Sequence, residues 1–593
     1  MQIAMLEVEN FRGIKKGCVR FTRNSVFVGA NNAGKTTLIE ALTLLLGRDK
    51  QIRELTEHDF HGSDPQPADR IRLVATITDF KNDDPDDNTD WFREGRAVEK
   101  WLNLDTGEIH AQKTDGSWKL CCQVATQAYF DRDSLSVEVA RYFHDYDHPF
   151  DPFSDDVPFA VPPLLIKQLG FYLVRASRTW DRVFSWGSEL FKRTLTAAAA
   201  QPALAVLSER NRLRTPELPI ELDPQISGLI ESVNAELARC MPDAPSIQLR
   251  VTNTDSRSVM DAVGAHFIRE GGSSVPATRQ GSGLVSLQGL LLLLELGRVR
   301  AAAGEGFLLA LGEPELHLPP ASQQQLVQRV QALSTQTITT THSPLIAAMV
   351  EPTSVIILRN DHGNLSAEPF LLEPLSAEAP NWKRKFFQLN RVEVLSALMY
   401  TSVLVPEGKA DFYLLKTILR ALMLTETWAP AQARNLGLDV GVVPTEDAKV
   451  VETFTLLSRV HARCCCLVDG DGDGDRYAQG LKAAPLSPVA IIQWARGEMI
   501  EDAIGWILQA DAGIVASFDA FVPRPATIND VVALLKANKV DIVLYETLAD
   551  AIASNELCRG RASDLFSGIA DACAGHASAR FAANGHGIWT FLP

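Results

Sequence analysis

Two kinds of chemistry are written into this chain, and the first binds phosphate. Residues 29–36 read G-A-N-N-A-G-K-T, an unbroken G-x-x-x-x-G-K-[ST] loop. In such a loop the backbone N–H groups of a glycine-rich turn surround phosphate oxygens. The lysine, Lys35, reaches the β and γ groups, and the Thr36 hydroxyl is offered to Mg2+. This spacing makes Gly29, Asn31, Asn32, Gly34, Lys35, Thr36 and Thr37 candidate contacts of a nucleotide. The second kind is acidic. Residues 402–411 read S-V-L-V-P-E-G-K-A-D and residues 464–475 read C-C-C-L-V-D-G-D-G-D-G-D. In each, an apolar run ends in carboxylates: Glu407 and Asp411, then Asp469 and Asp471. Glycines between the aspartates let the backbone turn tightly, so both side chains can face one hard cation. Residues 496–504 (R-G-E-M-I-E-D-A-I) add Glu498, Glu501 and Asp502 near a helix start. An EF-hand would use Asp469, Asp471, Asp473 and Gly474. It also needs a bidentate glutamate where Gly480 stands, and a helix where an apolar strand precedes.

These residues need elements to hold them. A strand over 25–28 and a helix over 35–46 bracket the phosphate loop. The apolar run 307–311 leads into G-E-P-E and places Glu313 at a strand's C-terminal end, where a carboxylate can orient an attacking water beside a γ-phosphate. T-T-H-S-P at 340–344 places His342 at the same sheet edge. Ser282 and Gly283 open a long helix whose N-terminus can meet a phosphate. Strands alternating with helices predict a mostly parallel sheet. From 188 to 240 the pattern turns helical, with breakers at Pro202, Pro216 and Pro219, and a strand is expected over 247–253. The Pro- and charge-bearing stretch near 375–395 reads as a linker, and a new strand–helix alternation begins at 402.

At 593 residues the chain has room for two or three domains. Its formal net charge of −16 argues against a generally sticky nucleic-acid binder, while leaving room for local basic patches. Arg175, Arg178 and Arg182 form one candidate patch; Lys383, Arg384, Lys385 and Arg391 form another. The strand-like start leaves no room for a signal peptide. The nine cysteines show no C-x-x-C pair, and Cys464–Cys466 read as strand filler, so a reducing cytoplasm is expected. The apolar run 284–296 reads as a buried helix, with no membrane association.

The opening L-E-V-E-N-F-R-G-I (residues 6–14), the phosphate loop, Glu313 and His342 together resemble the ABC-type ATPase head of RecF, SMC and OLD (overcoming lysogenisation defect) ATPases. E-G-x-x-D followed by D-x-D resembles the Toprim domain of topoisomerases, primases and OLD nucleases. The order, head then Toprim, resembles the OLD family over nearly the whole chain.

That resemblance implies an α/β fold: an ABC-type ATPase domain at 1–187 and 246–375, interrupted by a helical dimerisation element at 188–245. A linker at 376–398 and a Toprim domain with a parallel sheet at 399–593 follow. It implies ATP sandwiched between two heads, with residues 281–283 as a divergent signature, Glu313 as catalytic glutamate and His342 as switch histidine. It also implies Mg2+ or Mn2+ on Glu407, Asp411, Asp469, Asp471 and Glu501, with Glu407, Asp469 and Asp471 catalytic and Thr36 on the Mg2+ of ATP. A basic residue, Lys539, Arg559 or Arg561, would steady the transition state. The expected activity is a DNA endonuclease acting by two-metal hydrolysis, in phage defence or DNA repair. Its partners would be DNA, a second copy or larger homo-oligomer, and a helicase.

Gly312 departs from the family, which places a carboxylate there, and this predicts slow ATP turnover. An ATP-gated sensor or scaffold that recruits another effector is the alternative. A topoisomerase would need a nucleophilic tyrosine; Tyr400, Tyr413 and Tyr545 lie nearest by sequence, none in a recognisable cleavage domain.

Overall fold

A computed structural model describes the chain except residues 48–53, 94–95, 146, 149–150, 154–159, 176–183, 185, 187, 201–202, 242–244, 252, 269–270, 316–318, 426–433, 435 and 585–586. It divides into two compact units: Met1–Lys167 with Ala310–Glu313 and Gln336–Pro593, and Gln168–Leu309 with Pro314–Thr335.

The first unit is mixed α/β. The strand Asn24–Val28 lies between Gln336–Thr340 and Val355–Asp361, parallel to both. Val26, Phe27 and Val28 are buried on both faces, which is why this strand reads as an unbroken apolar run. On the far side of Val355–Asp361 the sheet becomes largely antiparallel, through Asn364–Pro369, Ile14–Arg20, Gln2–Phe11, Ile71–Thr78 and Trp118–Asp131. There the strands alternate: Leu6 and Val8 face inward while Glu7 and Glu9 are partly exposed.

A second, six-stranded sheet belongs to the same unit, in the order Val440–Val442, Ser402–Pro406, Cys464–Val468, Ile491–Gln493, Ile588–Phe591, Phe581–Ala583. Its first five strands are parallel and the last is antiparallel. The helices Lys409–Met423, Val450–Val460, Gly472–Lys482 and Ile500–Leu508 lie between its strands in sequence. In such a sheet, ligands sit outside the carboxyl ends of the strands.

The expected linker at 376–398 is packed. Phe386, Phe387, Val394, Leu395, Ala397 and Leu398 are buried in one core with Val26 and Val28 of the phosphate-loop strand and with Val403, Val405, Cys466 and Val468 of the second sheet. The Pro and charge signals mark only the approach to this seam; its apolar residues take the helix Arg391–Leu398 inside. Arg391 donates from Nη2 to the carbonyls of Ala347 and Val350, at the end of the helix Pro344–Ala347.

The second unit carries the helices Glu189–Ala197, Ala203–Arg214, Pro224–Cys240 and Ser282–Ala302. Ser188 and Asp223 cap the first and third through their side chains. The strand expected at 247–253 is absent among the described residues. Ile247 N–H donates to Asn234 Oδ1 (2.7 Å) and Leu249 N–H to Glu221 Oε1 (2.6 Å), so side chains of neighbouring helical elements take the donors a sheet would have used. Among the described residues one helix, Ser282–Ala302, is long and apolar enough to cross a membrane; half of its most apolar window is buried.

Candidate functional site

The phosphate loop is built around backbone that side chains adopt reluctantly. Asn32 and Gly34 have φ of 63° and 98°, and a Cβ on Gly29 would stand 2.4 Å from the Leu358 carbonyl oxygen. Lys35 opens the helix Lys35–Leu46, and its Nζ donates to the carbonyls of Gly29 (2.7 Å) and Ala30 (2.9 Å). Burial pulls this ammonium down to about 8, opposed by the charge of Glu313. A cavity of about 650 Å³ is lined by Gly13, Asn31, Asn32, Ala33, Gly34, Lys35, Thr36, Thr37, His342 and Asn360. Asn360 Nδ2 donates to the Gly13 carbonyl (2.7 Å), clipping that loop to the rim.

Glu313 follows the buried strand Leu308–Gly312 with φ of 47°, a left-handed conformation costing about 1 kcal/mol. Its N–H donates to the Thr340 carbonyl (2.8 Å), and His342 Nε2 lies 3.8 Å from Glu313 Oε1. Lysine, glutamate and histidine thus gather at one sheet edge. Gly312 is the last residue of its strand, so no carboxylate precedes Glu313. Ser282 and Gly283 form the first turn of Ser282–Ala302 in the second unit, with Gly281 offering no side-chain cap.

The acidic group forms at the carboxyl edge of the second sheet. Ser402–Pro406 and Cys464–Val468 are adjacent and parallel, so Glu407 and Asp469 leave neighbouring strand ends. Asp469 N–H donates to Glu407 Oε2 at 2.9 Å. Asp411, in the first turn of Lys409–Met423, is buried and accepts from Gly408 N–H (3.1 Å). Glu501, in the first turn of Ile500–Leu508, is 1% exposed.

Burial pushes Asp469 up to about 8, helped by the charges of Asp411, Glu407, Glu501 and Asp471. Burial likewise lifts Asp411 to about 7, with Glu501 and Glu407 adding. Glu407 is raised mainly by burial. Asp469 Oδ1 and Glu501 Oε1 are buried with no hydrogen-bond donor. A buried carboxylate oxygen without a donor is costly unless something positive meets it. Among the described residues no group of three or more His, Cys, Asp or Glu side chains is placed so that it could hold a metal ion. The donors are all carboxylate oxygens, the type a hard divalent cation takes.

Asp471 caps Gly472–Lys482 through Oδ1, accepting from Gly474 N–H at 2.8 Å. Asp473 lies within that helix and pairs with Arg476 (3.0 Å), so the segment is a strand–turn–helix and not a calcium loop. Asp502 pairs with Lys536 (2.7 Å). Of the three basic candidates, Lys539 is the one whose charge lowers Glu407 and Asp411. Arg559 is spent on the Ala553 carbonyl, and Arg561 on the Trp506 carbonyl and ring. Only the fold distinguishes these three. Lys385 joins Glu446, while Arg391 is half-buried; Arg178 and Arg182 lie outside the described residues.

Residues 187–348 match a family described as "AAA domain, putative AbiEii toxin, Type IV TA system", so the chain carries an ATPase domain. Residues 1–141 match a protein family of unknown function, DUF2813. The uncharacterized protein YbjD of Escherichia coli K12 is 24% identical over 502 residues, 82% of each chain. The endonuclease GajA of Bacillus cereus VD045 is 31% identical over 86 residues, 14% of each. Among solved structures, an SMC head bound to the C-terminal winged helix of ScpA aligns at 13% identity and a TM-score of 0.34, covering 62% of this chain and 97% of that one.

Proposed function

We propose that this protein is a metal-dependent DNA endonuclease of the OLD type, whose C-terminal Toprim domain cuts under the control of an ATP-binding dimer. The observation that carries this reading is the pair of buried, donorless oxygens on Asp469 and Glu501, set among Glu407 and Asp411 at one sheet edge. The likeness to an endonuclease, GajA, points the same way.

Glu407, Asp411, Asp469 and Glu501 would hold the cations, with Asp471 completing the set while it caps its helix. Bound there, Mg2+ or Mn2+ supplies an activated water and stabilises the leaving 3′ oxygen. The chain's own groups fix the geometry: the Glu407 to Asp469 backbone bond ties the two strand ends, and Lys539 offers positive charge to the transition state. Lys35, Thr36 and the other loop residues grip ATP; Glu313 orients water and His342 reports the γ-phosphate. Ser282 and Gly283 would complete the ATP site of the partner protomer.

The phosphate-loop strand and the carboxylate strands share one core, so control works through how two protomers meet rather than a hinge between the two sheets. Phage defence or DNA repair in a bacterial cytoplasm is the setting this reading assigns. The test is supercoiled plasmid with Mn2+, Mg2+ or Ca2+, with and without ATP. Nicked and linear products that vanish in Asp469→Ala are expected. Plasmid left intact with every metal, by protein that still binds ATP, favours the second reading. That reading is a nucleotide-gated scaffold, which Gly312 favours because binding without fast hydrolysis suits a switch.

A further inference from the structure

The carboxyl edge of the second sheet carries cations on both sides of its acidic centre. Four neighbouring parallel strands, Val440–Val442, Ser402–Pro406, Cys464–Val468 and Ile491–Gln493, end there in that spatial order. Glu446 follows the first, Glu407 and Lys409 the second, Asp469 and Asp471 the third, and Arg496 the fourth. Adjacent strands lie about 4.8 Å apart, so the row spans roughly 14 Å. One DNA strand places a phosphate about every 3.4 Å of helix axis, so such a row faces several phosphates at once.

Arg496 is exposed and has no ion pair or hydrogen bond among the described residues. Its loop is nevertheless fixed. Gly470 N–H donates to the Glu498 carbonyl, and Gly497 N–H donates back to the Gly470 carbonyl, both at 2.8 Å. Gly497 takes φ of 81°, and a Cβ on Gly470 would stand 1.9 Å from the Ala495 carbonyl oxygen. Arg496 is therefore stapled beside the Asp469–Asp471 turn while its guanidinium stays in water, an arrangement that brings no stability by itself. At the other end, Lys409 and Lys385 both reach Glu446, at 2.8 and 3.3 Å, and Asp447 Oδ1 accepts from Lys409 N–H. Lys383 and Arg384 come directly before Lys385 and make no ion pair or hydrogen bond among the described residues. With a whole-chain charge of −16, attraction for a polyanion has to come from such local groups.

We propose that Arg496 on one side, and Lys385 with Lys409 on the other, hold the phosphates flanking the one that is cut, laying a DNA strand along this edge. The proposal rests on the endonuclease reading. Its test is fluorescence anisotropy of a labelled DNA duplex without divalent metal, across a salt series, with the full chain. Arg496→Ala should weaken binding severalfold at low salt and flatten the log–log salt slope by about 0.9, one phosphate contact. Arg496→Lys should restore the slope, and the double variant Lys385→Ala/Lys409→Ala should flatten it further. Glu446→Gln, which frees both lysines, should tighten binding, where a purely structural role would loosen it. Unchanged ATP-analogue binding confirms that each variant is folded. Variants that bind DNA with wild-type affinity and slope overturn the proposal and leave the endonuclease reading standing. A wild-type protein that binds no DNA at low salt, either without metal or with Ca2+ added, overturns both.

Discussion

Lys35 shows what the phosphate site does before a nucleotide arrives. Its ammonium is held by two carbonyls and sits in enough protein to lose its proton near pH 8. A triphosphate needs it charged. ATP-analogue affinity should therefore be flat below about pH 8 and weaken up to tenfold per pH unit above it. Lys35→Ala should bind no analogue at any pH; titration calorimetry reads both, and flat affinity through pH 9 contradicts the first. The carboxylates carry the opposite sign. Asp411 and Asp469, raised to about 7 and 8, bind more protons folded than unfolded at any pH between the usual carboxylate value and those figures. Stability without metal should accordingly fall as pH rises from about 4 to about 8. Millimolar Mn2+ should raise Tm more at about pH 8.5 than at about pH 6, and equal increments would contradict the shared site.

At the scale of elements, the seam between the two sheets is the part the sequence disguises. Helix Arg391–Leu398 lies so near Val440–Val442 that a Cβ on Gly441 would stand 2.4 Å from the Ala397 carbonyl oxygen. That atom is backbone and cannot swing aside. Gly441→Ala should cost about 1–3 kcal/mol in urea unfolding, and an unchanged midpoint would mean the seam is looser than described. The phosphate loop was legible because its motif is contiguous, and its helix runs over the expected 35–46. The strands ending before Glu313, Glu407 and Asp469 were legible as apolar runs stopped by polar or glycine residues. The packed bridge was not, since proline and charge on its approach outweighed its apolar residues. Nor was the irregular path after residue 245, where Ile247 and Leu249 look like strand residues but find acceptors on Asn234 and Glu221. That the charge of Glu501 is felt at Asp411 and Asp469, and that of Lys539 at Asp411, depends on positions far apart in sequence.

At the scale of the whole molecule, the helix Pro224–Cys240 has no buried residue, yet Ile226, Leu229, Ile230, Val233 and Leu237 recur at helical spacing. Leu229 is 64% and Val233 43% exposed. A second copy covering this stripe is the role that the resemblance to OLD nucleases implies for the 188–245 element. Leu229→Asp with Val233→Asp should shift the protein from dimer to monomer in light scattering while sparing its fold by circular dichroism. A dimer of unchanged mass would place the contact elsewhere.

The most direct measurement is an anomalous difference map from crystals soaked in Mn2+. Peaks bounded by Glu407, Asp411, Asp469 and Glu501, lost in Asp469→Asn, are expected. A saturated crystal whose manganese sits elsewhere, with this edge empty, would contradict the endonuclease reading.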